Sequence, residues 1–125
     1  MKKLCLFLFA LPCVLLSSCW HHDKDISFAY SDTYRSYSMD AWFSRSETRR
    51  AERYMNETFG QQHHISFYRS ETEETFRLDD GSKFYMKKSP GHILIKINKD
   101  EASDNEYYSI KAMCIGMKDV VLNKQ

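Results

Sequence analysis

Three rhythms of apolar residues divide this chain. The run from Leu4 to Leu16 is interrupted only by Pro12. Short stretches after Ile26 alternate apolar and polar positions, and two others repeat apolar residues every three or four. A period of two marks a half-buried strand, and a period near 3.6 marks an amphipathic helix.

Ile26, Phe28 and Tyr30 alternate with Ser27, Ala29 and Ser31, which predicts a strand; Ser31-Asp32-Thr33 then supplies a turn. Tyr37, Met39, Ala41 and Phe43 share one side of a second strand, with Ser36, Ser38, Asp40 and Trp42 on the other. A helix should follow, capped by Ser46 with Glu47 in its first turn. Its stripe is Ala51, Tyr54, Met55 and Phe59; Arg49, Arg53 and Glu57 lie opposite, and Gly60 is placed to end it.

Four short strand-like runs come next. Ile65 and Phe67 share a face, as do Phe76 and Leu78, then Phe84 and Met86, then Ile93, Ile95 and Ile97. Asp79-Asp80-Gly81-Ser82 and Ser89-Pro90-Gly91 carry the turn residues between the later runs. A last helix begins at Ser103-Asp104-Asn105-Glu106, a capping-box pattern, and buries the stripe Tyr107, Ile110, Cys114, Met117 and Val121. Gly116 predicts a bend or an early stop. The order ββαββββα over residues 26–125 implies a two-layer α+β domain, an antiparallel sheet with two helices on one face.

The first run reads differently. Roughly 18 apolar residues are needed to span a bilayer. Leu4–Leu16 is shorter and follows Lys2 and Lys3, as in a secretory signal. Leu16-Ser17-Ser18-Cys19 resembles the lipobox of bacterial lipoproteins, a branched apolar residue and two small ones before the acylated cysteine. That resemblance implies a signal peptide over 1–18, cleavage before Cys19, and lipid on Cys19 as the link to a membrane. Trp20 follows; an Asp there would resemble the inner-membrane retention signal, so the expected address is the cell envelope, at the outer membrane where the host has one. Residues 19–25 form a polar tether that reaches only roughly 20 Å when extended, so the domain should sit close to the bilayer.

Cleavage changes the cysteine arithmetic. The chain has four cysteines, but Cys5 and Cys13 leave with the signal and Cys19 carries lipid, so Cys114 has no partner for a disulfide. The body must hold by packing. Removing Lys2 and Lys3 from 18 basic residues leaves 16 against 17 acidic ones, a net charge of −1. That balance gives no reason to expect a nucleic-acid surface or a polybasic lipid-binding one.

The stretch Asp79–Lys96, with Met113–Lys118, is similar to small bacterial lipoproteins that carry an LDDG…FY…K…PG hairpin. No activity is attached to that resemblance, so it implies none here.

Candidate chemistry is sparse. Cys114 falls mid-helix on the apolar stripe, whereas nucleophilic cysteines sit at helix N-termini or in electropositive clefts, so it reads as a small core residue. His21, His22, Asp23 and Asp25 lie on the tether, and neighbouring His63 and His64 would point to opposite faces of a strand; neither group is a convincing metal site. The acids Asp100, Glu101, Asp104 and Glu106 lack the spacing of a calcium loop and read as a helix start. Arg45, Arg49, Arg50 and Arg53 are interleaved with Glu47, Glu52 and Glu57, as on a solvated helix face. No Gly-rich phosphate loop, serine elbow or HExxH motif is present, and no cofactor is implied.

The sheet face away from the helices is the strongest candidate. Strand parity places Trp42, Tyr68, Tyr85 and Leu94 there among Ser66, Arg77, Lys83, Lys87 and Lys96. Exposed aromatics among polar residues can mark a protein- or sugar-binding face, although amphipathic strands commonly carry a few. The expected role is a non-enzymatic envelope module that binds a protein or glycan partner. A small lipid-anchored enzyme would instead need a pocket of titratable groups. An inhibitor of an envelope hydrolase would need a protruding loop, for which His63–His64 or Asp79–Ser82 are candidates.

Overall fold

The structure, a computed structural model, describes residues 26–122. The proposed signal, Cys19 and the tether histidines lie outside the described residues. The strands are β1 (Ser27–Asp32), β2 (Ser36–Trp42), β3 (Thr72–Arg77), β4 (Lys83–Ser89) and β5 (His92–Asn98). The helices are α1 (Thr48–Met55), which runs on through Asn56–Gly60 and Gln61–His63, and α2 (Asp104–Leu122). All neighbouring strands are antiparallel, in the order β1-β2-β5-β4-β3. The connection through α1 thus carries the chain from β2 to the far edge, and β5 returns to the centre.

The alternation read in the sequence decides which face is covered. Tyr37, Met39 and Ala41 of β2, Ile93, Ile95 and Ile97 of β5, and Phe84 and Met86 of β4 are all buried. They form one core with Ala51, Met55 and Phe59 from the first helical segment and Ile110, Met113, Cys114 and Met117 from α2. This is the expected α+β sandwich of one sheet and one helical layer.

Five local expectations are corrected. Residues 65–67 form no strand: the Phe67 N–H donates to the side-chain oxygen of Asn56 at 3.0 Å, so a buried amide replaces a neighbouring strand. The sheet therefore has five strands and the order is ββαβββα. Ser46 is not the helix cap; Ser44 accepts from Ser46 N–H, and a 3-10 turn (Arg45–Glu47) leads into α1. Gly60 does not end the helix. The helical backbone continues to His64, which is left-handed at φ 58°, and Ile65 N–H closes back onto the Gly60 carbonyl at 2.9 Å. This is the six-residue closure that satisfies orphan carbonyls at a helix end. Glycine is required at 60 for another reason: a Cβ there would lie 2.4 Å from the Ile65 carbonyl oxygen.

The capping box at α2 is half made. Ser103 Oγ accepts from Glu106 N–H at 3.2 Å, but Ser103 N–H donates to Ser82 Oγ and Glu106 turns towards His63. Finally, Gly116 neither bends nor stops α2. The Tyr54 ring lies against it, and the Tyr54 hydroxyl donates to the Met113 carbonyl at 2.9 Å.

Candidate binding face

The open face is built by the residues of opposite parity to the core. Cross-strand register sets Trp42 beside His92, Asp40 beside Leu94, and Ser38 beside Lys96 between β2 and β5. Between β5 and β4 it sets Leu94 beside Lys87 and Lys96 beside Tyr85. Trp42, Tyr85 and Leu94 therefore do share this face; Trp42 is half exposed, while Tyr85 and Leu94 are partly covered by their neighbours.

Tyr68 does not belong to it. Because residues 65–69 leave the sheet, Tyr68 sits on the helical side, with the Arg49 guanidinium 5.4 Å from its ring centre. Ser66 is in the same segment. Arg77, Lys83, Lys87 and Lys96 are on the open face as expected.

His92 and Asp40 were not singled out in the sequence, yet they organise one end of the face. The Trp42 and His92 rings stack 3.7 Å apart at 15°, and His92 Nε2 lies 2.7 Å from Asp40 Oδ1. The carboxylate fixes the imidazole, and the imidazole fixes the indole, leaving a preset aromatic surface turned to solvent. The available signal was weak: His92 directly follows Gly91 and keeps the parity of Leu94.

At the other end the twisted sheet forms a depression of about 310 Å³ around Tyr85, Lys83, Lys96, Arg35 and Asn98, with Glu101 as the acid at its wall. The Tyr85 hydroxyl donates to Glu73 Oε2 at 2.8 Å, which raises the phenol's pKa. Glu73 is thereby engaged, as Asp40 is by His92.

The remaining candidates are placed as follows. Cys114 is fully buried in α2, and burial pushes its thiol up to about 12. His63 Nε2 lies 3.4 Å from Glu106 Oε1 with its ring against Phe59, while His64 is exposed at the helix end. Among the described residues no group of three or more His, Cys, Asp or Glu side chains is placed to hold a metal ion. Glu52 of the arginine-rich stretch is buried, as is Asn56 one turn further on. The Asp79–Ser82 loop is a tight turn held by Leu78 N–H to the Ser82 carbonyl and by Ser82 N–H to Asp80 Oδ1.

Fold and face together define an α+β protein whose helices cover one side of an antiparallel sheet and leave the other open. No protein-family model, curated protein or solved structure matches the chain. No described helix is long and apolar enough to cross a membrane.

Proposed function

We propose that this chain is a lipid-anchored module of a bacterial cell envelope that binds a partner, protein or glycan, on the open face of its sheet without catalysing a reaction. The anchor rests on Leu16-Ser17-Ser18-Cys19 and the charged, apolar segment before it. The binding role rests on one observation: the half-exposed Trp42 indole is held in place by His92 and Asp40. An aromatic ring fixed before contact loses little freedom on binding, which is why such rings recur as anchors of recognition surfaces.

Two measurements test this. Mass spectrometry of the native product should find lipid on Cys19 at a new N-terminus; an intact Met1 end or a free thiol there removes the anchor. Capture from envelope extract on the immobilised full chain should give a species lost with Trp42→Ala or Tyr85→Ala. A cross-strand aromatic pair contributes about 0.2–1 kcal/mol, so Trp42→Ala should leave the fold intact. Loss of capture only in variants that have also unfolded removes the support for this face.

A further inference from the structure

The charge on the open face is unevenly matched. At the Trp42 end, Asp40 answers His92. In the middle, Glu73 of β3 stands opposite Lys87. At the depression, Arg77 and Lys83 are directly opposite each other across β3 and β4, and like charges so placed destabilise a sheet. Lys96 is paired across the strands with Tyr85, so it is a diagonal neighbour of Lys83 as well as of Lys87. Strand geometry puts such diagonal neighbours roughly 7–8 Å apart. Arg35 completes the cationic wall; its Nε–H reaches only the neighbouring Tyr34 hydroxyl, at 3.4 Å. Neither Lys83 nor Lys96 makes an ion pair with a described residue.

The contrast with the rest of the molecule is sharp. Asp32 alone draws in both Lys99 and Lys111, each at 2.8 Å, and Glu52 takes Lys88. Among the residues that line the depression, Arg35, Lys83 and Lys96 face a single acid, Glu101.

We infer that this face takes an acidic oligosaccharide, with a carboxylate- or sulfate-bearing sugar in the Arg35–Lys83–Lys96 depression and a second sugar stacked on Trp42. The inference rests on the proposed binding role and names its ligand class. Length argues for an oligomer. Trp42 and Ser38, the β2 residue beside Lys96, are four positions apart, or roughly 14 Å at strand rise, so one sugar cannot meet both ends. Chemistry argues for sugar over an acidic peptide. The face offers flat rings for the apolar sides of pyranoses and hydroxyl or amide groups such as Ser36, Thr75 and Asn98 for their hydroxyls. An extended peptide would find its main-chain partners at the unpaired edges of β1 and β3, whereas the line from Trp42 to Lys96 runs over the paired strands β2 and β5 between them. The depression lies at the small end of the usual 300–1,000 Å³ for ligand sites, enough for one ring.

The test is a glycan array probed with the full chain in neutral detergent, carrying acidic glycans, their neutral counterparts and a poly-glutamate peptide. Signal should be confined to acidic glycans. Lys83→Gln with Lys96→Gln should weaken it about tenfold, as loss of two exposed charge contacts would. Trp42→Ala should weaken it to a similar degree with the melting temperature held within a few degrees. Glu101→Gln, which removes the one opposing charge, should strengthen it several-fold; that gain cannot come from damage to the fold. The inference falls if no glycan is retained, if neutral glycans bind equally, if poly-glutamate binds as well as the acidic glycans, or if the lysine variants bind undiminished. An empty array together with envelope capture that still depends on Trp42 overturns the glycan and spares the binding face. An empty array with Trp42-independent capture overturns both.

Discussion

Lys88 Nζ lies 2.6 Å from Glu52 Oε2 in the core, with almost no water around either group. The same ammonium donates to the Arg69 carbonyl, so one side chain joins β4, α1 and the irregular segment before β3. The cost of desolvating two charges is offset only while both are present. Lys88→Met should therefore cost about 3 kcal/mol, because the buried Glu52 carboxylate is left with only the exposed Arg49 guanidinium, 3.7 Å away. Adding Glu52→Leu should recover a large part of that loss. Denaturant unfolding of the two single variants and the double variant gives the coupling directly; additive losses would mean that the pair is not a unit.

This pair also marks where the sequence stopped being readable. Lys88 has the parity of Phe84 and Met86, but a lysine at a core position carries no sign of the glutamate that receives it 36 residues earlier. The strands of β2, β4 and β5 were legible because their alternation is clean and local. The segment 64–71 was not, because its backbone is held by side chains from elsewhere, Asn56 on Phe67 and Lys88 on Arg69. Tyr68 was misplaced for the same reason: parity argues only inside a strand. On the open face Trp42, Tyr85 and Leu94 followed from parity. The His92–Asp40 support under Trp42 depended on the β2–β5 register, which pairs strands 52 residues apart in the chain.

Gly116 should prove intolerant of the substitution that helix propensity favours. In an unencumbered helix Gly→Ala gains roughly 1 kcal/mol. Here the new methyl would lie 2.3 Å from the Tyr54 hydroxyl oxygen and 3.2 Å from Cζ. Overpacking of this kind typically costs 1–3 kcal/mol, so Gly116→Ala should destabilise by up to about 2 kcal/mol net. Tyr54→Phe in that background should relieve part of the clash. Thermal unfolding decides it, and a stabilised Gly116→Ala would contradict the packing described.

His64 should behave in the opposite way. A non-glycine residue in the left-handed region costs roughly 1–2 kcal/mol, and its side chain is exposed, so little contact is lost on truncation. Glycine regains the backbone strain but loosens the unfolded chain by about 0.4–1 kcal/mol. His64→Gly should therefore stabilise by about 0.5–1 kcal/mol. Gly60→Ala, four residues earlier, should destabilise because its methyl would meet the Ile65 carbonyl. The same scanning calorimetry of both variants checks the signs.

Asp32 should govern part of the acid limb of stability. Its carboxyl is held well below the usual carboxylate range by hydrogen bonds from Lys111, Lys99 and Tyr107. A depressed folded pKa gives stability that is complete above the unfolded value, near 3.9, and is lost as pH falls towards the folded one. Asp32→Asn should thus be less stable than the native chain at pH 7, with the gap narrowing below about pH 4 and in high salt. A gap that is flat from pH 7 to pH 2 would show that these lysines contribute nothing through charge.

Cys114 should impose a slope at the alkaline end. Burial pushes its thiol up to about 12, against roughly 8.5 in the unfolded chain. Above 8.5 the unfolded state releases the thiol proton while the folded state keeps it, so stability falls as pH rises. The slope approaches but cannot exceed about 1.4 kcal/mol per pH unit. Burial also raises the phenols of Tyr30, Tyr37 and Tyr54, but their unfolded values lie near 10, so the window from about pH 8.5 to 10 belongs to the thiol. Cys114→Ala should flatten that window and leave the steeper fall above pH 10. The native thiol should also react with a disulfide reagent only at the rate of unfolding, since the side chain is fully enclosed by the sheet and both helices. Fast modification of the folded chain would place Cys114 within reach of solvent and undo the packing of α2 on the sheet.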